Sequence, residues 1–142
     1  MSGKKCVFCK IINGELPSQK VYQNDNIVAF LDIEPVNKGH TLIVTRRHYS
    51  SLLDVPDAEL GEILQIAKRI AQALKDEFGY QAFNIHHSNG KVAGQDIEHV
   101  HFHVWPRLPD DQVELLFPIE VEYEQGEIQE VAQRIVSSLS SP

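Results

Sequence analysis

The stretch Gly94-Gln95-Asp96-Ile97-Glu98-His99-Val100-His101-Phe102-His103-Val104-Trp105-Pro106-Arg107 decides how the chain is read. From His99 polar and apolar residues alternate strictly, the pattern of a strand with one buried face. Val100, Phe102 and Val104 are expected to point into the core, with His99, His101 and His103 on the opposite face. Alternate side chains on a strand lie roughly 6.6 Å apart, so a group of phosphate size can touch two of these imidazoles at once. A solvated face or a metal-binding face would show the same alternation. Gly94-Gln95, just ahead of the strand, favours an anion site, because it offers close backbone approach and an amide beside the first imidazole.

Working outward, Val21–Gln23 and Ile27–Leu31 read as strands joined through the polar turn Asn24-Asp25-Asn26. His40 to Thr45 is a third, β-branched strand and Ala82 to His86 a fourth, so the histidine strand is the fifth. Leu60, Ile63, Leu64, Ala67, Ile70, Ala71, Leu74 and Phe78 recur at helical spacing, with Pro56 near the start and Gly79 just past the end. Ile128, Val131, Ala132, Ile135 and Leu139 mark a second amphipathic helix, and the final Ser-Ser-Pro is expected to fray. Strands in meander order with one long helix inserted predict an α+β domain on a five-stranded antiparallel sheet. The domain is expected over residues 5–113, with 114–142 an acidic C-terminal extension carrying the second helix.

At 142 residues the chain is long enough for one domain with a real core. Thirteen Lys and Arg against 20 Asp and Glu give a net charge of −7, which argues against a nucleic-acid backbone or an anionic membrane as partner. No apolar run follows the basic residues near the N-terminus, so neither a signal peptide nor a membrane span is expected. Two cysteines close together do not make a secreted disulfide framework, and the chain reads as cytoplasmic.

Three histidines alternating with hydrophobic residues, preceded by Gly-Gln and followed by Pro-Arg, resemble the histidine triad (HIT) nucleotide hydrolases and transferases. The resemblance runs from about Cys6 to Arg107 and implies a HIT-like fold, a homodimer and a purine nucleotide such as AMP as ligand. A neutral imidazole is a good nucleophile near neutral pH, and the middle of three same-face histidines is the natural candidate. By resemblance, His101 is that nucleophile and forms a nucleotidyl-histidine intermediate, His103 contacts the phosphate and Gln95 helps to position it. His40 matches a histidine of the family pattern as an orienter, while His86 and His87 match nothing and are left as structural. Asp32 would accept from the ribose hydroxyls, and Phe8, Ile11, Leu16, Phe30 and Ile33 would form the slot for the base.

Two positions depart from the family pattern. Asp96 stands where a serine or threonine is common, and Ser88 where an asparagine or glutamine is common. An ionised Asp96 would repel a phosphate, whereas a protonated one would donate to the leaving group.

Cys6-x-x-Cys9 alone fits a redox pair or half a zinc site, and a thioredoxin-like setting is missing. The bacterial members pair such cysteines with two histidines, which implies a structural zinc held by Cys6, Cys9, His48 and His99. No Walker loop or dinucleotide fingerprint occurs, and no catalytic metal is required. The expected activity is hydrolysis at the α-phosphate of a purine nucleotide, with nucleoside phosphoramidates favoured over dinucleoside polyphosphates. A metallohydrolase using His-x-His-x-His and a non-catalytic nucleotide-binding regulatory module are the competing readings.

Overall fold

Strands β1 (Lys20–Gln23), β2 (Ile27–Leu31), β3 (Thr41–Thr45), β4 (Ala82–His86) and β5 (His101–Arg107) form a single five-stranded sheet in a computed structural model that describes residues 5–114 and 120–140. Every neighbouring pair is antiparallel. The β1–β2 turn follows from Asn24, whose Oδ1 accepts from the amides of Asn26 and Ile27. Among the described residues the α-helices are α1 (Val7–Ile12), α2 (Asp57–Phe78) and α3 (Glu127–Leu139).

The strand order is β1-β2-β3-β5-β4, which corrects the expected meander. After β3 the chain runs through α2, about 33 Å long at 1.5 Å per residue, and that length carries it past the neighbouring position. β4 therefore lands at the edge, and β5 returns into the gap beside β3. The histidine strand is interior, flanked on both sides, so its side chains sit over the middle of the sheet.

Both faces of this sheet are covered, which corrects the expectation of one core face and one open histidine face. On one face Ile27, Ala29, Ile43 and Val104 pack under Ile63, Ile66, Ala67, Ala71 and Leu74 of α2. On the other, Val28, Phe30, Leu42 and Val44 pack under Cys6 and Phe8 of the N-terminal segment. Period-two alternation within one strand reports which residues share a face, not what lies over it. The strand also begins later than expected: His99 precedes β5 and is fully buried.

The buried stripe of α2 is rotated slightly from the spacing reading. Ile66 is in the core, while Leu64 and Phe78 are more than half exposed. Gly79 caps the helix C-terminus, donating to the Lys75 carbonyl. Gly39, at φ +102°, lies so close to α2 that a Cβ there would meet Leu74 Cδ2 at 2.5 Å. At the exit of β5, Arg107 makes a bidentate pair with Asp111, which holds the Asp111 carboxyl well below the usual range. No helix among the described residues is long and apolar enough to cross a membrane.

Candidate active site and metal centre

Register brings histidines of two strands, β4 and β5, onto one face, and His40 joins them from just ahead of β3. His101 lies opposite Val44, and His103 lies between Leu42 of β3 and His86 of β4. Backbone carbonyls then set the tautomers. His101 Nδ1 is 2.7 Å from the His99 carbonyl oxygen, which can only accept, so Nδ1 carries the proton. The Nε2 lone pair of His101 is thereby left free, and it stands 3.6 Å from Asp96 Oδ1. His99 Nε2 is 2.6 Å from the Thr45 carbonyl, so its proton is on Nε2 and its lone pair on Nδ1.

His40, 3 % exposed, adjoins His103, with Nε2 to Nδ1 at 2.9 Å. The Val36 amide donates to His40 Nδ1 and the Trp105 indole N–H points at its Nε2, so a protonated ring would face a donor at each nitrogen. Burial lowers the His40 pKa, in keeping with that neutral state. His103 is pushed down to about 3, first by burial and then by the surrounding histidines, so it too is neutral. Asp32 Oδ2 lies 3.6 Å from His40 Nε2, and Asp32 Oδ1 accepts from the Glu34 amide. Asp32, His40 and His103 are close enough to share an ion, and the hydrogen bond within the trio is the one between His40 Nε2 and His103 Nδ1.

His101, His103 and Asp32 open onto a cavity of about 430 Å³ between α1 and the end of β2, while His40 stays behind its wall. Phe8, Ile11, Phe30 and Ile33 supply apolar walls, and Asp32, Asp96, His101 and His103 supply polar ones. Phe8 is the hinge of the arrangement. Its ring meets Phe30, His99 and His101 edge-on, with centroids 5.7, 5.8 and 5.0 Å apart.

Beneath the cavity, Cys6, Cys9, His48 and His99 offer ligand atoms all within 4.8 Å of one another. Cys6 Sγ is 3.3 Å from His99 Nδ1, and Cys9 Sγ is 3.4 Å from His48 Nδ1. Two sulfurs and two imidazole nitrogens are the donor set of a tetrahedral zinc. Burial lowers His99 to about 4, so its Nδ1 lone pair is available, and the Thr45 carbonyl fixes the ring as an outer-shell partner would. Burial and the Cys6 thiol push Cys9 up to about 11, an opposition that a divalent cation would reverse. The residues fit the metal.

Of the residues read from sequence, Leu16, Ser88 and Gln95 do not line the cavity. Gln95 is committed to the backbone: Oε1 accepts from the Gly90 amide, and Nε2 donates to the Ser50 and Ile97 carbonyls. It braces the loop that enters β5. Gly94 serves that loop through its φ of +97°; a Cβ there would meet only Ser88 Oγ, at 3.9 Å. His86, read as structural, stacks face to face on His103 at 4.4 Å and meets Trp105 edge-on. Only the strand order reveals that neighbour, since β4 and β5 are separated by a loop with no pairing signal.

The HIT domain family model matches residues 13–110. The chain belongs to the HIT family. It is 48% identical over 106 residues to an uncharacterized HIT-like protein of Methanocaldococcus jannaschii, covering 75% of this chain and 81% of that one. It is 44% identical over 102 residues to the adenosine 5′-monophosphoramidase HNT1 of Saccharomyces cerevisiae, covering 72% of this chain and 62% of that protein. A crystal structure of a HIT family member from Bacillus subtilis superposes with a TM-score of 0.88 at 34% identity, covering 97% of this chain and 99% of that one. A zinc-bound histidine triad protein from Mycobacterium smegmatis superposes at 0.73 with 30% identity, covering 96% and 99%.

Proposed function

We propose that this protein hydrolyses purine nucleoside 5′-phosphoramidates at the α-phosphate through a nucleotidyl intermediate on His101. The observation that carries this is the His101 Nδ1 contact with the His99 carbonyl, which leaves the Nε2 lone pair facing the cavity. His103, neutral and lining the cavity, holds the phosphoryl oxygens by hydrogen bonds, and His40, buried behind it, orients its ring through Nδ1. Asp32 receives the ribose hydroxyls, and Phe8, Ile11, Phe30 and Ile33 receive the base. The yeast monophosphoramidase among the relatives supports the choice of substrate.

Zinc held by Cys6, Cys9, His48 and His99 has a structural role in this reading, tying the segment that carries Phe8 to the residue whose carbonyl orients His101. The zinc-bound relative supports the metal. A reduced cysteine pair committed to metal suits the cytoplasm. The edge position of β4, with Phe83 51 % exposed, and the exposed apolar residues of α3 suit a homodimer.

The test is AMP release from adenosine 5′-phosphoramidate by the wild type and by His101→Ala. Turnover by the wild type alone supports the assignment. Equal turnover by both removes His101 as nucleophile, and nucleotide binding without turnover by either favours a regulatory module.

A further inference from the structure

Asp96 is the acidic group nearest the nucleophile and takes no part in the steps above. Its Oδ1 lies 3.6 Å from His101 Nε2 and is held there by the Ile97 amide, which donates to it at 2.9 Å. The side chain is 80 % exposed at the cavity mouth, so substitution there disturbs no core. The remaining lining has the same sign: Asp32 and Glu34 face the cavity, and none of the described residues lining it is a lysine or arginine.

We propose that Asp96 selects the leaving group by charge, admitting phosphoramidates whose departing amine is neutral or cationic and disfavouring anionic amines and phosphate leaving groups. The inference rests on the hydrolase reading and adds to it the class of leaving group. In the step concerned, the His101 Nε2 lone pair forms a bond to phosphorus while the P–N bonding pair leaves on nitrogen. That nitrogen takes one proton from solvent and departs as the amine. Water then adds its oxygen to phosphorus, breaks the P–Nε2 bond and returns one proton to solvent, releasing AMP. Any atom bonded to the phosphorus under attack lies well inside the Debye length of about 8 Å from Asp96. The carboxylate favours a nitrogen that must gain a proton, and it opposes a phosphate that gathers negative charge as it leaves. A polyphosphate would also need cations that this lining does not offer.

Three adenosine 5′-phosphoramidates differing only in the departing amine provide the test: 1,2-diaminoethane (cationic), ethylamine (neutral) and β-alanine (anionic). kcat/KM is measured for the full-length wild type, Asp96→Asn and Asp96→Glu at low and high salt. Asparagine keeps an acceptor for the Ile97 amide and removes only the charge. The wild type should rank cationic above neutral above anionic, with steps of about fivefold, the upper range for one exposed charge pair. Asp96→Glu should keep that order, while Asp96→Asn and high salt should flatten it. The same order in Asp96→Asn, or equal turnover of all three by the wild type, overturns the inference while leaving the hydrolase reading intact. No turnover of any of them by the wild type overturns both.

Discussion

Phe8→Ala should be the most costly single truncation outside the α2 core. Phe8 is 4 % exposed and packs against Val28, Phe30, Leu42 and Val44, residues fixed by strand pairing on both sides. A sheet so held cannot collapse into the space left, which puts the loss at about 3–5 kcal/mol. Edge-on contacts with Phe30, His99 and His101 add to this, each worth on the order of 0.5–1.5 kcal/mol. Against a typical total of roughly 5–15 kcal/mol the variant loses a large share of its stability, and its Tm should fall by on the order of 10 °C. Urea unfolding of zinc-loaded wild type and variant measures the difference directly, with m-values checked for a common transition. Calorimetric titration with AMP supplies a second readout, since the ring is also a wall of the cavity: affinity should drop in the folded variant. A stability loss under about 1 kcal/mol would refute the reasoning, because no buried phenyl on a rigid sheet should be that cheap to remove.

Other perturbations test separate parts of the arrangement. Metal analysis of protein purified without chelator should find one zinc per chain, and Cys9→Ser should lose it, leaving α1 open to proteolysis; zinc-free wild type with a protected α1 would contradict the site. Burial lowers the pKa values of His40, His86, His87, His99 and His103, so below about pH 6.5 the unfolded chain binds more protons than the folded one. Stability should therefore be full above that pH and fall as the pH drops toward 4, with His103, whose pKa is pushed down to about 3, contributing about 1.4 kcal/mol per pH unit; urea midpoints that stay flat between pH 7 and 5 would sink this. Gly39→Ala combines a φ of +102° with a close approach to Leu74 Cδ2 and should cost about 1–3 kcal/mol, read from thermal unfolding.

The extent to which the sequence revealed this protein differs from element to element. α2 was legible because its caps and its apolar stripe are local, and β2, β3 and β4 because turn residues and β-branched runs bound them. Alternation correctly grouped His101 and His103 on one face. It could not reveal that the N-terminal segment covers that face, because a period of two carries no information about the next layer. Gln95 shows the same limit: its amide suits a phosphate as well as it suits three backbone groups, and only the path of the loop chooses between them.

By itself the sequence determined the residue types capable of the chemistry, the α+β class, and, through His-x-His-x-His with Gly-Gln before it and Pro-Arg after it, the family. The tertiary structure alone decided the strand order that puts β5 in the interior, and with it the stacking of His86 on His103. It also decided the protonation pattern. A histidine's free nitrogen is set by whichever carbonyl or amide meets the other one, and those partners, His99 and Thr45 for the two critical rings, are placed by the packing of segments distant in the chain.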